Sequence, residues 1–98
     1  LTRLGQLRVA IESRHVAHID YADVKSQASQ RSVRPLACFY WESAWTLSAW
    51  CELRQDFRQF RLDRIQQLSI GPGQFKDEAG KTLADMFRQW CVPPPPFL

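Results

Sequence analysis

The chain has 98 residues, 45% of them hydrophobic and four of them Trp, which suits one compact, soluble domain and excludes a disordered segment. No apolar run approaches the roughly 18 residues of a membrane span, and residues 1–6 lack the apolar stretch of a secretion signal. The net charge is +3 and ten of the thirteen basic residues are Arg. That bias suits bidentate contacts to phosphate or carboxylate, but the excess is too mild to name a partner by itself.

In chain order, Leu4, Leu7 and Ile11 recur at helical spacing and predict a first helix ending near Arg14. Residues 15–21 alternate as a strand, with Val16 and His18 on one face and Ala17, Ile19 and Tyr21 on the other. The polar stretch 22–30 reads as a hairpin loop. Residues 31–41 form a second extended run, in which Pro35 marks a bend or an edge position. A tight connection at Glu42, Ser43 and Ala44 leads to a third strand over 45–53. Trp45, Leu47 and Ala49 share one of its faces, and Thr46, Ser48 and Trp50 the other. After a turn at 54–56, a fourth strand covers 57–62 and a fifth covers 65–70, which Gly71-Pro72-Gly73 ends. The last helix opens on Thr82 as N-cap with Asp85 three residues on, a capping-box-like pair. It carries Leu83, Met86, Phe87 and Trp90 as an apolar stripe. Pro93 to Pro96 stop it and leave a polyproline tail.

This order predicts a mainly β fold: a small barrel of about five short strands with an N-terminal and a C-terminal helix. One domain is expected over residues 1–92, with a proline-rich tail at 93–98. A chain that starts on Leu1 rather than Met is expected to be a piece of a longer protein.

Catalytic chemistry finds little footing. Cys38, Cys51 and Cys91 are odd in number and lack CxxC spacing, which argues for reduced structural thiols in a cytoplasmic protein and against a disulfide framework or zinc. His15 and His18 fall on opposite faces of one strand. No metal-binding His-Glu-x-x-His, phosphate loop or Gly-x-Ser-x-Gly elbow is present, and Gly71-Pro72-Gly73 lacks the Lys-Ser/Thr of a phosphate loop. No enzyme, cofactor or metal is therefore expected.

The most charged stretch, residues 54–64, holds Arg54, Arg58, Arg61 and Arg64 interleaved with Phe57 and Phe60. Arg58 shares a face with Phe60 and Leu62, and Arg61 points the other way beside Gln59. Two readings compete. Interleaved Arg and Phe can hold a phosphate while a base stacks; alternatively, this is a solvated strand whose arginines pair with Asp56 and Asp63. Periodicity alone favours the second. Arg31 and Arg34 form another basic pair ahead of Pro35, again readable as surface charge. Trp45 and Trp90 sit on apolar stripes and are expected in the core. Trp50 is the better candidate for exposure, and Trp41 is undecided. Tyr21 either presents its hydroxyl to a cavity or is buried and hydrogen-bonded.

Several segments in order resemble the WYL domain: Arg31-Ser32-Val33-Arg34-Pro35-Leu36, then Trp45-Thr46-Leu47-Ser48-Ala49-Trp50, then Phe57-Arg58-Gln59-Phe60-Arg61-Leu62-Asp63-Arg64-Ile65. The helix ending in Ile11-Glu12, the strand ending in Asp20-Tyr21 and the close Gly80-Lys81-Thr82-Leu83-Ala84-Asp85 fit as well, so the resemblance runs from about Leu4 to Trp90. It implies an Sm-like or SH3-like barrel with a packed helix, C-terminal to a winged helix-turn-helix domain in bacterial regulators of DeoR-like type. Relatives sense single-stranded nucleic acid, nucleotides or small ligands, and many are dimers. One departure stands out, because Thr46 occupies the middle of the Trp-Tyr-Leu signature and has no ring to stack on a base.

The resemblance tips the arginines toward a binding groove. The expected site is Arg34, Arg58, Arg61 and Arg64, helped by Tyr21, Thr46 and Ser48. It would take an anionic effector, single-stranded DNA or a nucleotide, and so modulate duplex DNA binding by a helix-turn-helix domain in a homodimer, with no membrane partner. The alternatives are a structural dimerisation domain built on the apolar helix stripes, and an Sm-like RNA-binding module.

Overall fold

A computed structural model describes residues 2–23 and 25–90; the proline tail and Cys91 lie outside the described residues. Helix α1 (Arg3–Ser13) begins where the Thr2 side chain accepts a hydrogen bond from the Gly5 N–H at 3.0 Å. It ends at Arg14, in the left-handed region at φ 55°, whose N–H reaches back to the carbonyls of Ala10 and Ile11. The stripe read from spacing is the buried one: Leu7 and Ala10 are fully covered, and Leu4 and Ile11 pack on the core.

Five strands follow: β1 (His15–Ala22), β2 (Ala28–Trp41), β3 (Ala44–Cys51), β4 (Asp56–Arg61) and β5 (Ile65–Gln74). They form one antiparallel sheet in the order β4-β3-β2-β1-β5. The loop ahead of β2 is tied by Asp23, whose carboxylate accepts from the N–H groups of Lys25 and Gln27, both at 2.9 Å. Glu42 and Ser43 join β2 to β3 with φ of 51° and 64°. Two consecutive positive φ values define the type I′ turn, whose twist matches that of a hairpin.

Pro35 satisfies both sequence expectations. The register of β2 against β3 shifts between Pro35 and Ala37, and β1 pairs with β2 only as far as Val33. From Arg34 onward β2 therefore has a neighbour on one side only, where a missing N–H breaks no ladder bond.

The mainly β class holds, but the closed barrel does not. The edge strands β4 and β5 do not pair with each other. A 3-10 turn, Leu62–Arg64, carries the chain directly from one edge to the other, so the sheet must curl until its edges meet at that corner. The fifth strand also corrects the sequence reading. It continues through Gly71-Pro72-Gly73 to Gln74, because a register shift opposite His15 and Ala17 absorbs the extra residues. Gly71 fits there because a β-carbon would lie 2.9 Å from His18 Nε2.

The inside of the curl carries the main core: Leu7, Ala17, Ile19, Val33, Leu47, Ala49, Cys51, Phe60, Leu62 and Ile65. The outer face of β3 and β4 carries a second cluster, Trp50 and Phe57 with Met86 of α2 (Leu83–Trp90). Leu83, Phe87 and Trp90 pack on it, with Phe57 and Trp90 ring centroids 6.4 Å apart. Two-sided cover explains two reversals. Trp50, expected outside, is 7% exposed beneath α2, whereas Trp45, expected in the core, is 40% exposed on the face α2 leaves open. The capping box forms as read: the Thr82 N–H donates to the Asp85 carboxylate at 3.1 Å, and the Asp85 N–H donates to Thr82 Oγ1 at 3.2 Å.

Replacing Leu47, fully buried between the sheet and α1, by Ala is expected to cost about 2–5 kcal/mol in urea unfolding, while Val9→Ala on the outside of α1 should stay within about 0.5 kcal/mol. A pH effect accompanies the cap. Hydrogen bonds from the Thr82 backbone, the Thr82 hydroxyl and Arg88 hold the Asp85 carboxyl down at about 2. A depressed acid stabilises the fold above its ordinary range, and that stability is lost as pH falls through the folded value. Acidification from about pH 4 to 2 should therefore loosen α2, read by tryptophan fluorescence, and Asp85→Asn should diminish that pH-dependent step.

Candidate functional site

Tyr21 ends the inward face of β1, beyond Ala17 and Ile19, and reaches across the curl to β4. Its ring meets Phe60 edge-on at 5.0 Å, and its hydroxyl accepts the Arg61 backbone N–H at 3.0 Å. Half-buried, it combines parts of its two sequence readings: the hydroxyl is hydrogen-bonded, and the residue also borders open space. On each side of it the seam opens into a depression. One, of about 330 Å³, is lined by Tyr21, Trp41, Glu42, Thr46, Arg61 and Arg64, with Ala44 and Gln59. The other, of about 340 Å³, lies between the loop ahead of β2 and β4, and Tyr21, Arg31, Arg54 and Arg58 face it beside Asp23 and Gln27.

The structure thus brings together Tyr21, Thr46, Arg58, Arg61 and Arg64 of the expected set, and adds Arg31 and Arg54. The arginines are not equivalent. Arg61 is held by Asp63 through contacts of 2.6 and 3.1 Å, which raise the Arg61 pKa and lower that of Asp63. Arg58 meets Asp56 at 3.2 Å. Asp56 is itself pulled below the usual carboxylate range, first by hydrogen bonds from Gln89 and the Phe57 N–H and then by Arg58. Both pairs are solvent-exposed, so each contributes little. Arg31 donates only to Ser29 at 3.2 Å and to Cys51 sulfur at 3.5 Å. Among the described residues, Arg31, Arg54 and Arg64 form no salt bridge, although Arg64 lies near enough to Asp63 to help lower its pKa.

Two expected residues lie elsewhere. Ser48 is fully buried between β3 and α2, and its hydroxyl has no partner among the described residues. Arg34 sits on the far part of β2, with Glu52 at 2.6 Å and Glu78 at 3.1 Å. Partial burial works against its charge, but hydrogen bonds to Glu78 and Glu52 outweigh it and raise its pKa. Glu78 in turn takes Lys81 at 2.8 Å, and the Lys81 ammonium lies 5.2 Å from the centroid of the Trp50 ring. This chain of charges pins the segment before α2 to the sheet. Sequence spacing named Arg34 correctly as basic but had no means of seeing Glu52 and Glu78 arrive beside it. Arg54 was within the charged stretch, and only the curl shows that it faces Arg31.

With the fold and the arginine-lined seam in view, comparison with known proteins shows the family. A family model described as the WYL domain matches residues 2–70. The chain belongs to the WYL domain family. Among solved structures, this WYL domain is similar to the proteasome accessory factor B/C (PafBC) of Arthrobacter aurescens, with 25% identity and a TM-score of 0.68 over 72% of this chain and 11% of that one. The chain therefore spans about a tenth of that neighbour's length. No curated protein matches it. The matched span of the WYL domain ends within β5, so the close at Gly80–Asp85 lies beyond it. Thr46, at the place of the signature Tyr, is 6% exposed and forms part of the wall of the depression that Arg61 and Arg64 face.

No described helix is long and apolar enough to cross a membrane. No group of three or more metal-ligating side chains occurs among the described residues.

Tyr21→Phe keeps the ring against Phe60 but strips the Arg61 N–H of its acceptor. The expected loss is about 0.5–1.5 kcal/mol in urea unfolding, and an unchanged midpoint would show that water replaces the bond at no cost.

Proposed function

We propose that this chain is the regulatory domain of a bacterial transcription regulator, and that the seam beside Tyr21 senses an anionic effector, single-stranded DNA or a nucleotide. The observation that carries the reading is the gathering of Arg31, Arg54 and Arg64, none of them in a salt bridge among the described residues, around two adjoining depressions that also hold Arg58 and Arg61. Open guanidinium groups on a concave surface attract phosphate and leave the ligand's other groups to the walls. Membership of the WYL domain family supports the regulatory role. The proposed protein is a cytoplasmic homodimer, not an enzyme, whose helix-turn-helix domain reads duplex DNA. Its effector acts by binding one arrangement of the dimer more tightly than another.

The dimerisation alternative loses the surface it was assigned on α2, because Leu83, Met86, Phe87 and Trp90 pack on the chain's own Trp50 and Phe57.

The reading is tested with labelled single-stranded DNA at about 50 and 200 mM salt. Binding is expected to weaken steeply over that range. Arg54→Ala/Arg64→Ala should lower affinity at least about tenfold and flatten the dependence of log K on log salt by about 1 to 2. Equal binding by the wild type and the double variant would place the anion elsewhere.

A further inference from the structure

Thr46 leaves the depression without the ring its family signature supplies, yet the same depression has an aromatic wall. Trp41, the last residue of β2, is 58% exposed and borders it with Thr46, Arg61 and Arg64. The register explains why the ring is bare. Trp41 stands opposite Ala44, and Phe39 opposite Thr46, so its cross-strand neighbour on that face is a methyl group, too small to cover an indole. The other exposed aromatics of the hairpin, Tyr40 and Trp45, lie on the opposite face and satisfy each other edge-on at 5.5 Å. Trp41 has no ring partner among the described residues. The type I′ turn at Glu42 and Ser43 fixes the strand end that carries it.

We propose that Trp41 is the stacking residue of this site and that the ligand's base lies on its indole, which deepens the reading above and rests on it. Charge orients the ligand. Glu42 borders the depression next to Trp41, and Arg61 and Arg64 border it as well. The arginines take the phosphate, and the Glu42 carboxylate, near enough to Arg61 to raise its pKa, can accept hydrogen bonds from the amino groups of a base lying on Trp41. The ligand class is thus narrowed from any anion to a nucleotide unit with its base unpaired. Inorganic phosphate or a duplex, whose bases are already stacked, would leave the indole unused.

The test compares a single-stranded DNA of about 12 nucleotides with an abasic strand carrying the same phosphates, on wild type, Trp41→Ala, Trp41→Phe and Trp45→Ala. Trp41→Ala is expected to weaken binding of the normal strand about 5- to 150-fold while leaving the abasic strand and the salt slope unchanged. Trp41→Phe should restore most of the affinity. Trp45→Ala, also exposed but on the other face, should change nothing. Equal binding of normal and abasic strands by the wild type, or no loss in Trp41→Ala, would overturn stacking on Trp41 while leaving the arginine site standing. Binding of neither strand would overturn both readings.

Discussion

The hydrogen bond from the Arg61 N–H to the Tyr21 hydroxyl joins two parts of the sheet that the strand ladder leaves apart. β1 lies near one end of the strand order and β4 at the other, and only the Leu62–Arg64 corner links the edges covalently. Tyr21 supplies a second link through space, with its ring on Phe60 and its oxygen on the β4 backbone. A curled sheet held at its corner and at one side chain keeps its inner face dry while leaving slots on either side of the tyrosine. The core and the candidate site thus share one residue, and a change at Tyr21 would be felt by both.

The outer face of β3 and β4 is closed by different means. Helix α2 has only two turns, too short to persist alone. It is kept in place by its apolar stripe, by the reciprocal bonds of Thr82 and Asp85, and by the charges running from Arg34 through Glu78 to Lys81 and Trp50. This division of labour leaves the arginines of β4 with only exposed, local pairs to Asp56 and Asp63, whereas Arg34 is consumed by it.

Local pattern made much of the fold legible. Helix α1, the alternation of β1, the hairpin at 42–44 and the cap of α2 all follow from residues close in sequence, where spacing and turn chemistry act directly. What depended on distant parts of the chain was harder to read. Alternation along β3 correctly divides Leu47 and Ala49 from Thr46, Ser48 and Trp50, but both groups are buried, since α1 and the curl cover one face and α2 the other. Trp45 and Trp50 exchanged their expected roles for that reason. Gly71-Pro72-Gly73 has the composition of a stop, yet it is absorbed as an irregularity because β1 continues beside it. For the site, the charged stretch 54–64 announced itself. The separation of Arg34 from it, the arrival of Arg31 and the wall formed by Trp41 are products of the curl.

β4 is a short strand with one side open to solvent, and its pairing with β3 turns alternate backbone groups outward. Arg61 gives its outward N–H to Tyr21, and Phe57 gives its own to Asp56 at 2.8 Å; by the same parity the N–H of Gln59, between them, points out and has no partner among the described residues. An open donor on an edge strand is an invitation to a strand from another molecule. The guanidinium groups of Arg58 and Arg61, with their partners Asp56 and Asp63, flank that position with solvated charge that an incoming strand would have to displace. The arginines of the seam thereby act as guards against sheet-to-sheet aggregation as well as candidates for recognition.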